Sequence, residues 1–330
     1  MKVIIPLAGF GTRLRPHTFT KPKPLVNVAG KPVLGHILDK LADLDVEEIV
    51  FVTGYLGEQI EAYVSANYRF PARYVEQKEL KGQAHAIYLT RDHVQGPVLI
   101  IFVDTIFETD LSKLASVDAD GVLYVKRVED PRRFGVAVLE DGYVTRLIEK
   151  PASFEHNLAV IGVYYIRDSR WLMSAIEELI RRDIKTQGEY FLADALQLMI
   201  DQGARMVASE LEVWEDCGKP ESVLHTNRYL LDKGHGQVVP TENSIIIPPV
   251  YIAESATVVN SIIGPYVTIA SEGVIKNSIV RDSIIDERAH IEGAMLSGSL
   301  IGRDAKVSGS FERLNVGDSS QVDFAGREAK

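Results

Sequence analysis

KVIIPLAGFGTRLRPHTFTKPKPLVNVAGKPV, residues 2–33, begins with an apolar run and continues into a loop rich in glycine, proline and basic residues. The run at residues 2–6 is β-branched, is too short for the apolar core of a signal peptide and is followed by no small-residue cleavage site, so it predicts a first strand. Residues 7–28, called the basic loop below, carry positive charge in a chain whose formal net charge is -10. This concentration indicates a local anion site.

Further strands and helices alternate after this loop. Residues 48–53 and 97–103 are apolar runs typical of strands buried on both faces, with helical patterns at residues 33–41, 58–66 and 83–91 between and before them. Alternation of this kind predicts an α/β fold with a mainly parallel sheet. Closely spaced runs at 122–128, 135–139, 143–149 and 159–166 predict antiparallel additions, and helices are expected at 170–182, 190–202 and 220–233.

From about residue 244 the apolar residues recur six apart, with single-residue slips. The positions are Ile252, Val258, Ile263, Ile269, Ile275, Ile279, Ile285, Ile291, Ile301 and Val307. A six-residue repeat predicts a β-helix, in which each side of a coil points one aliphatic side chain inward. A two-sheet sandwich is the alternative, but its strands would not keep a fixed period over roughly 60 residues. Residues 311–330 form a tail with too little apolar content to assign.

Length and composition set the limits on function. A chain of 330 residues exceeds the usual size of one hydrophobic core, and we expect two domains, 1–235 and 236–330. A pI near 5.4 argues against nucleic-acid and anionic-membrane binding, and no apolar segment is long enough to span a membrane. The single cysteine, Cys217, excludes an internal disulfide and suits a cytoplasmic location.

The basic loop has the chemistry of a phosphate site. Gly9 and Gly11 leave backbone N–H groups accessible, Arg13 can clamp phosphate oxygens, and Lys23 lies between two prolines that restrict the backbone. The spacing fits neither the dinucleotide fingerprint nor the P-loop. A solvated basic loop is the alternative interpretation.

The segment GFGTRLRPHTFTKPKPL resembles the signature of the sugar-1-phosphate nucleotidyltransferases, also called nucleotide-sugar pyrophosphorylases. The resemblance continues in order over residues 1–235 through EQKELKGQAHAI, VDTIF, FGV, EKP, AVIGVYYI and WEDCGKPESVL. It implies a Rossmann-like mixed, mainly parallel sheet with flanking helices, followed by a left-handed parallel β-helix. The combination is similar to thymidylyl- or uridylyltransferases that use glucose 1-phosphate.

This resemblance implies attack of a sugar 1-phosphate on the α-phosphorus of a nucleoside triphosphate, with pyrophosphate leaving. The attacking phosphate has a second pKa of about 6, so no general base is required, but crowded negative charge has to be aligned and neutralised. Arg13 and Lys23 are the implied catalytic residues. The implied nucleotide-binding residues are Leu7, Ala8, Gly9, Gly11, Thr12, Gln77 and Gly82.

The resemblance also implies Mg²⁺ held by two carboxylates. Asp104 matches the metal-binding aspartate of the family, although the triplet here is VDT and lacks the family's glycine and asparagine, and Asp216 in WEDCG matches the second carboxylate. The implied sugar-phosphate residues are Gly135, Glu149, Lys150 and Gly162. Glycines within strands also mark bulges, which is the alternative for Gly135 and Gly162.

Three alternatives remain for the function. The first is a mannose-1-phosphate guanylyltransferase, which would differ from the implied enzyme only in its nucleobase and its sugar. A non-catalytic regulatory subunit of the same fold would be expected to lack Arg13, Lys23 or Asp104, which are all present. An acyltransferase in the hexad region would need a catalytic histidine, for which His290 is the candidate, and usually more coils. We expect the hexad region to serve assembly of a homo-oligomer. Packing or solvated roles are expected for His17, His85, Cys217, Trp171 and Trp214.

Overall fold

A nine-stranded mixed sheet forms the centre of the first 216 residues of the structure, a computed structural model that describes residues 1–309. Its strands pair in the order β5-β4-β1-β6-β11-β8-β12-β10-β9. The strands of this part of the chain are β1 (Lys2–Pro6), β2 (Asn27–Val28), β3 (Lys31–Pro32), β4 (Glu48–Thr53), β5 (Ala72–Glu76), β6 (Val98–Ile101), β7 (Thr105–Glu108), β8 (Gly121–Arg127), β9 (Gly135–Glu140), β10 (Tyr143–Glu149), β11 (Leu158–Ile166), β12 (Met206–Glu210) and β13 (Val213–Asp216). Two short pairs, β2–β3 and β7–β13, lie outside the large sheet.

Helices cover both faces of this sheet. They are α1 (Val33–Leu41), α2 (Gly57–Asn67), α3 (Gln83–Tyr88), α4 (Ser169–Arg181), α5 (Leu192–Asp201) and α6 (Pro220–Leu230). In β1, Val3 and Ile5 enter the core formed with α1, α2 and α6, while Ile4 enters the core formed with α3, α4 and α5. Because alternate side chains enter opposite cores, the strand is apolar at every position after Lys2.

Half of the neighbouring strand pairs in the sheet are parallel. The pairs β5–β4, β4–β1, β1–β6 and β8–β12 are parallel, and the other four neighbouring pairs are antiparallel. The prediction of a mixed α/β sheet is confirmed, but "mainly parallel" fits only the run from β5 to β6, since beyond β6 only β8–β12 is parallel. The predicted helix 83–91 ends at Tyr88, and the predicted helix 220–233 ends at Leu230, followed by a wider turn with Gly234 at φ 91°.

Three four-stranded parallel stacks follow from residue 245. Their strands are β14 (Ile245–Ile246), β15 (Val250–Ile252), β16 (Thr257–Val259), β17 (Ile262–Ile263), β18 (Val267–Ile269), β19 (Val274–Lys276), β20 (Ile279–Arg281), β21 (Ser283–Ile285), β22 (His290–Glu292), β23 (Met295–Ser297), β24 (Leu300–Ile301) and β25 (Lys306–Ser308). Every third strand pairs, so each stack is one side of a coil. The arrangement is consistent with the predicted β-helix, the name used below. Its left hand and the domain division 1–235 and 236–330 stay predictions.

The interior of the β-helix follows the six-residue repeat with one difference. Ile263, Ile269, Ile275 and Ile291 are fully buried in a single core. In β20, however, the buried residue is Val280 and not Ile279, which points outward and is partly exposed. The reason is a one-residue slip, since Val280 and not Ile279 pairs with Ile263.

One side of the β-helix packs on the sheet-containing part. Tyr251, Thr268 and Ile284 are register partners on the outer surface of the β15–β18–β21–β24 stack. Ile284 belongs to the core of the sheet-containing part, and the Thr268 hydroxyl donates to Asn227 Oδ1 at 2.6 Å. Within residues 1–309, no helix is long and apolar enough to cross a membrane. The predicted tail 311–330 lies outside the described residues.

Candidate active site

The basic loop leaves β1 at the carboxyl edge of the sheet and lines a cavity of about 340 Å³ there, called the first cavity. Gly11 adopts a left-handed conformation with φ 61°, and a Cβ at this position would lie 2.9 Å from Lys23 Cβ. Thr18 holds the turn by donating its hydroxyl to Gly11 O at 2.9 Å. The predicted nucleotide-binding and catalytic residues all line this cavity: Leu7, Ala8, Gly9, Gly11, Thr12, Arg13, Lys23, Gln77 and Gly82.

Arg13 lies in a single turn of helix directly after Gly11, over Thr12–Leu14. Its guanidinium extends toward the loop after β13, where a Cβ on Gly218 would lie 3.1 Å from Arg13 Nη2 and 2.8 Å from Asp216 Oδ1. Gly218 therefore permits an arginine and a carboxylate to approach the same point. Gly218 N–H also donates to Asp216 Oδ1 at 2.8 Å, which orients that carboxylate.

The strand pair β7–β13 brings the two predicted metal-binding aspartates together. Thr105 pairs with Asp216, and Cys217 N–H donates to Asp104 O at 2.8 Å. Lys23 Nζ lies 3.3 Å from Asp104 Oδ2, so the predicted catalytic lysine and the first carboxylate already contact each other. The sequence analysis did not predict β7 or β13, although this pair positions both carboxylates.

Two carboxylates suit Mg²⁺, which keeps water ligands and completes its octahedron with substrate phosphates. Within residues 1–309, no group of three or more His, Cys, Asp or Glu forms a cage made of protein ligands alone. Asp104 and Asp216 both line a second cavity of about 250 Å³ and face the same side as Arg13. This donor set fits an ion that is shared between protein and phosphates, and the metal itself stays a proposal.

The second cavity holds most of the predicted sugar-phosphate residues. Gly135, Glu149 and Gly162 line it, and a Cβ on Gly135 would lie 2.9 Å from Glu149 Oε2. Gly162 has φ 83° and lies where the β11–β8 register shifts, so it marks a bulge as well as lining the cavity. Burial raises the pKa of the Glu149 carboxyl, opposed by Lys150 and reinforced by Asp194.

The ammonium group of Lys150 does not line the second cavity. Its Nζ donates to Gln187 Oε1 at 2.9 Å and lies 5.3 Å from the centre of the Phe191 ring. Its backbone has φ 48°, so the chain turns at this residue and Glu149 and Lys150 point in different directions. Lys219 instead lines the second cavity beside Asp216, a position that the sequence analysis did not select. The role predicted for Lys150 stays a prediction.

Two contacts position the side chain of Gln77, which lines the first cavity. Its Nε2 donates to Gly82 O at 3.2 Å and lies 3.1 Å from His85 Nδ1. Burial lowers the pKa of His85, which favours the neutral ring that can accept this hydrogen bond. Both hydrogens of the Gln77 amide are therefore used by the protein. Gly82 has φ 107° and packs on the Tyr190 backbone, a position that only glycine fits.

Several other side chains considered from the sequence make packing or hydrogen-bond contacts within the protein. Burial raises the pKa of the Cys217 thiol to about 12, and its Sγ contacts Thr226 Oγ1 at 3.6 Å. Trp171 donates its indole N–H to Gln202. Trp214 packs edge-on against Phe134 with 5.0 Å between ring centres, but it also lines the second cavity. His290 lies 3.6 Å from Glu292 on an outer surface of the β-helix.

The two cavities share a wall formed by Arg13, Gln83, Phe102 and Asp104. Two ligands bound side by side would therefore meet at an arginine and an aspartate, with Lys23 3.3 Å from that aspartate. Such a junction can neutralise negative charge that develops between the two ligands. It contains no serine, cysteine or histidine in position to act as a nucleophile among the described residues that line the cavities.

Comparison with known proteins matches residues 2–233 to a family described as nucleotidyl transferase. The chain is 35% identical over 230 residues to UTP–glucose-1-phosphate uridylyltransferase AglF of Haloferax volcanii, covering 67% of this chain and 93% of that protein. It is 32% identical over 360 residues to glucose-1-phosphate thymidylyltransferase of Streptomyces griseus, covering 98% of this chain and 100% of that protein.

Other relatives are longer than this chain. The bifunctional protein GlmU of Methanocaldococcus jannaschii is 34% identical over 259 residues, which is 78% of this chain and 61% of that protein. The crystal structure of UDP-glucose pyrophosphorylase complexed with UDP-glucose has a TM-score of 0.62 over 70% of this chain and 98% of that chain, at 24% identity. At this identity, the similarity to UDP-glucose pyrophosphorylase shows a shared fold alone.

Proposed function

The chain belongs to the nucleotidyl transferase family and is a nucleotidyltransferase, and we propose that it transfers the nucleotidyl group of dTTP or UTP to glucose 1-phosphate. The products are a nucleotide sugar and pyrophosphate. The observation that carries the proposal is the junction of two cavities at Arg13 and Asp104. The choice of base and sugar is supported by the relatives that are named as thymidylyl- and uridylyltransferases.

In the proposed reaction an oxygen of the sugar phosphate forms a bond to the α-phosphorus of the nucleoside triphosphate. The bond from that phosphorus to the pyrophosphate oxygen breaks, and its electron pair leaves with pyrophosphate. No proton has to be removed, because a phosphate monoester with a second pKa of about 6 is largely dianionic at neutral pH. This agrees with a junction that offers Arg13 and Lys23 as cations, and whose lining contains no serine, cysteine or histidine among the described residues.

Each basic group has a separate task in this mechanism. The planar guanidinium of Arg13 binds oxygens of the α-phosphate and of the leaving pyrophosphate in a bidentate manner. Lys23, held against Gly11, places its ammonium beside the attacked phosphorus, where negative charge increases in the transition state. Glu149 accepts hydrogen bonds from sugar hydroxyls, and Gly135 leaves the space for that carboxylate.

Asp104 and Asp216 are the residues that would hold Mg²⁺ at the junction. A bound divalent ion supplies positive charge between neighbouring phosphate groups and fixes their relative orientation. The backbone bond from Cys217 N–H to Asp104 O at 2.8 Å holds the two segments that carry these aspartates side by side.

Assembly and location are also proposals. The β-helix carries an outward row of aliphatic side chains on one side, which supports a homo-oligomer formed through that surface. Buried Cys217, the single cysteine, is compatible with the reducing conditions of a cytoplasm.

A pyrophosphate-release assay tests the proposed function. The purified chain is combined with each of dTTP, UTP, GTP, ATP and CTP and with glucose, galactose or mannose 1-phosphate, with and without Mg²⁺. We expect the highest kcat/KM for dTTP or UTP with glucose 1-phosphate, and a requirement for the metal. Preference for GTP and mannose 1-phosphate would favour the guanylyltransferase alternative. Release with no pair would exclude the proposed activity.

A further inference from the structure

Lys21 and Lys23 both belong to the KPKP segment of the basic loop, but they point to different places. Lys23 lines the first cavity. The Lys21 residue is 2% exposed, and its ammonium lies between the two carboxylate oxygens of Asp286, at 2.9 Å from Oδ1 and 2.7 Å from Oδ2. Asp286 belongs to the β-helix, where it directly follows β21. The lysine nearest to the catalytic lysine is therefore bound by the β-helix.

The Asp286 carboxylate has a complete set of partners. Its Oδ1 also accepts the side-chain N–H of Asn27 at 2.8 Å and the backbone N–H of Glu287 at 2.9 Å, and Glu287 Oε1 lies 3.6 Å from Lys21 Nζ. Lys21 and Asn27 lie on the two sides of Lys23 in the chain. One carboxylate of the β-helix thus holds both ends of the segment that carries the catalytic lysine.

The segment between these two anchors has little freedom of its own. Pro22 and Pro24 flank Lys23, and Lys23–Leu25 form a single turn of helix in which Val26 N–H bonds to Lys23 O at 3.1 Å. Because each proline fixes its own φ, fewer bond rotations between Lys21 and Lys23 can absorb a displacement of Lys21. Lys23 in turn contacts Asp104 and limits the space beside Gly11.

We propose that Asp286 is a positioning residue, through which the β-helix sets the location of Lys23. This inference rests on the proposed function, since Lys23 acts in the transfer step. It assigns to the β-helix a role in the catalytic rate in addition to the predicted role in assembly. Asp286 touches no substrate and acts through Lys21 and Asn27.

A second ion pair between the same two parts of the molecule provides a matched control. Arg228 of α6 pairs with Asp282 of the β-helix, four residues before Asp286. Among the described residues, neither side chain has a hydrogen bond or ion pair with the basic loop. Asp282→Ala therefore weakens the attachment of the β-helix without releasing the KPKP segment, whereas Asp286→Ala does both.

The test compares steady-state kinetics of the full chain with Asp286→Ala, Asp286→Asn and Asp282→Ala, at a temperature where circular dichroism shows each to be folded. We expect Asp286→Ala to lower kcat on the order of 10- to 100-fold, since a displacement of about 1 Å has effects of this size. KM for the nucleotide should change little, because Lys23 acts mainly in the transition state. Asp282→Ala should keep the kcat of the unaltered protein.

The double variant Lys21→Met/Asp286→Leu separates positioning from stability. It removes the buried ion pair without leaving an unpaired charge, so thermal stability should recover relative to Asp286→Ala while kcat stays low. Wild-type kcat in a folded Asp286→Ala, an equal loss of kcat in Asp282→Ala, or recovery of kcat in the double variant would each overturn the inference.

Hydrogen exchange measured by mass spectrometry gives a readout that does not need turnover. Faster exchange over residues 17–28 is expected in Asp286→Ala and not in Asp282→Ala. If the unaltered chain releases no pyrophosphate with any substrate pair, the proposed function fails, and the exchange result alone decides whether Asp286 holds the loop. Equal exchange in the two variants would then reject the loop contact as well.

Discussion

Arg13 is the residue on which the proposed chemistry depends most. We predict that Arg13→Ala lowers kcat by about 10²–10³-fold, the usual effect of removing one preorganised donor from a developing anion. Arg13→Lys should recover only part of this loss, because an ammonium cannot bind two oxygens in parallel. The measurement is pyrophosphate release at saturating substrates, with circular dichroism to confirm folding.

Arg15 supplies the control for this prediction. It belongs to the same short segment, but its guanidinium lies over the Phe19 ring, 5.0 Å from the ring centre. Arg15→Ala should therefore keep the turnover of the unaltered chain. Near-normal rates in Arg13→Ala would contradict the mechanism.

A second prediction concerns the contribution of the buried His36 side chain to the pH dependence of the free energy of unfolding. Burial lowers the pKa of this histidine to about 4, opposed by the hydrogen bond to Val28 O at 2.9 Å. The unfolded chain binds a proton near pH 6.5 and the folded chain only near 4, so the contribution to stability is complete above 6.5 and is lost as the pH falls to 4. A difference of this size corresponds to about 3 kcal/mol.

Urea unfolding at pH 7, 5.5 and 4.5 measures the contribution of His36. The free energy of unfolding of His36→Gln should fall less steeply over this range than that of the unaltered chain, because glutamine does not titrate. Both proteins lose stability from other groups at acid pH, so the difference between the two curves is the quantity to compare. Parallel curves would show that His36 does not titrate differently on folding.

At the scale of single residues, sequence motifs predict which side chains line a common cavity but not the contacts that hold those side chains in place. GFGTR and KPKP predict a phosphate site in the basic loop, and Gly9, Gly11, Arg13 and Lys23 do line one cavity. The division of labour between Lys21 and Lys23 could not be predicted, since Asp286 lies 265 residues from Lys21 in the chain. Lys150 is a similar case, because its φ of 48° turns the side chain toward Gln187, and no motif encodes that turn.

Among the elements, the strand pair β7–β13 has the largest effect on the site and was not predicted. Each strand has four residues, and their pairing joins Thr105 to Asp216 across more than a hundred residues. Local patterns predicted the long apolar strands well, because a strand that is buried on both faces has apolar residues at nearly every position. A short pair that is defined by long-range contact leaves no such pattern.

Gly218 allows a test of how closely this strand pair sets the site. Gly218→Ala would place a methyl group 2.8 Å from Asp216 Oδ1 and 3.1 Å from Arg13 Nη2 without changing any charge. We predict a loss of kcat of roughly tenfold or more, because both groups have to move from the junction. Gly302→Ala is the control, since its added methyl would meet only His17 Nδ1, at 3.4 Å. Equal rates in the two variants would show that the junction tolerates displacement.

At the scale of the whole molecule, the three sides of the β-helix differ in character. One side, with Tyr251 and Ile284, packs on the sheet-containing part. A second side carries Val274, His290 and Lys306 as outward register partners and is mostly polar. The third side carries one row of apolar register partners outward, Ile245, Ile262, Ile279 and Met295, beside the outward polar pair Arg281 and Ser297.

This third side should be the contact between subunits in the predicted homo-oligomer. Ile245 is 60% exposed and Met295 73% exposed at the two ends of this row, and Ile262 and Ile279 between them are partly exposed. A straight row of four apolar side chains can pair with the same row of a second copy about a two-fold axis, so that both rows leave water together.

Met295→Glu and Ile245→Glu would place charges into that contact without disturbing the core, because both side chains point outward. We predict that the combined variant has a lower molar mass by light scattering than the unaltered chain, while Lys306→Glu, on the polar side, keeps the original mass. An unaltered chain that is monomeric, or a combined variant with unchanged mass, would place the subunit contact elsewhere or remove it.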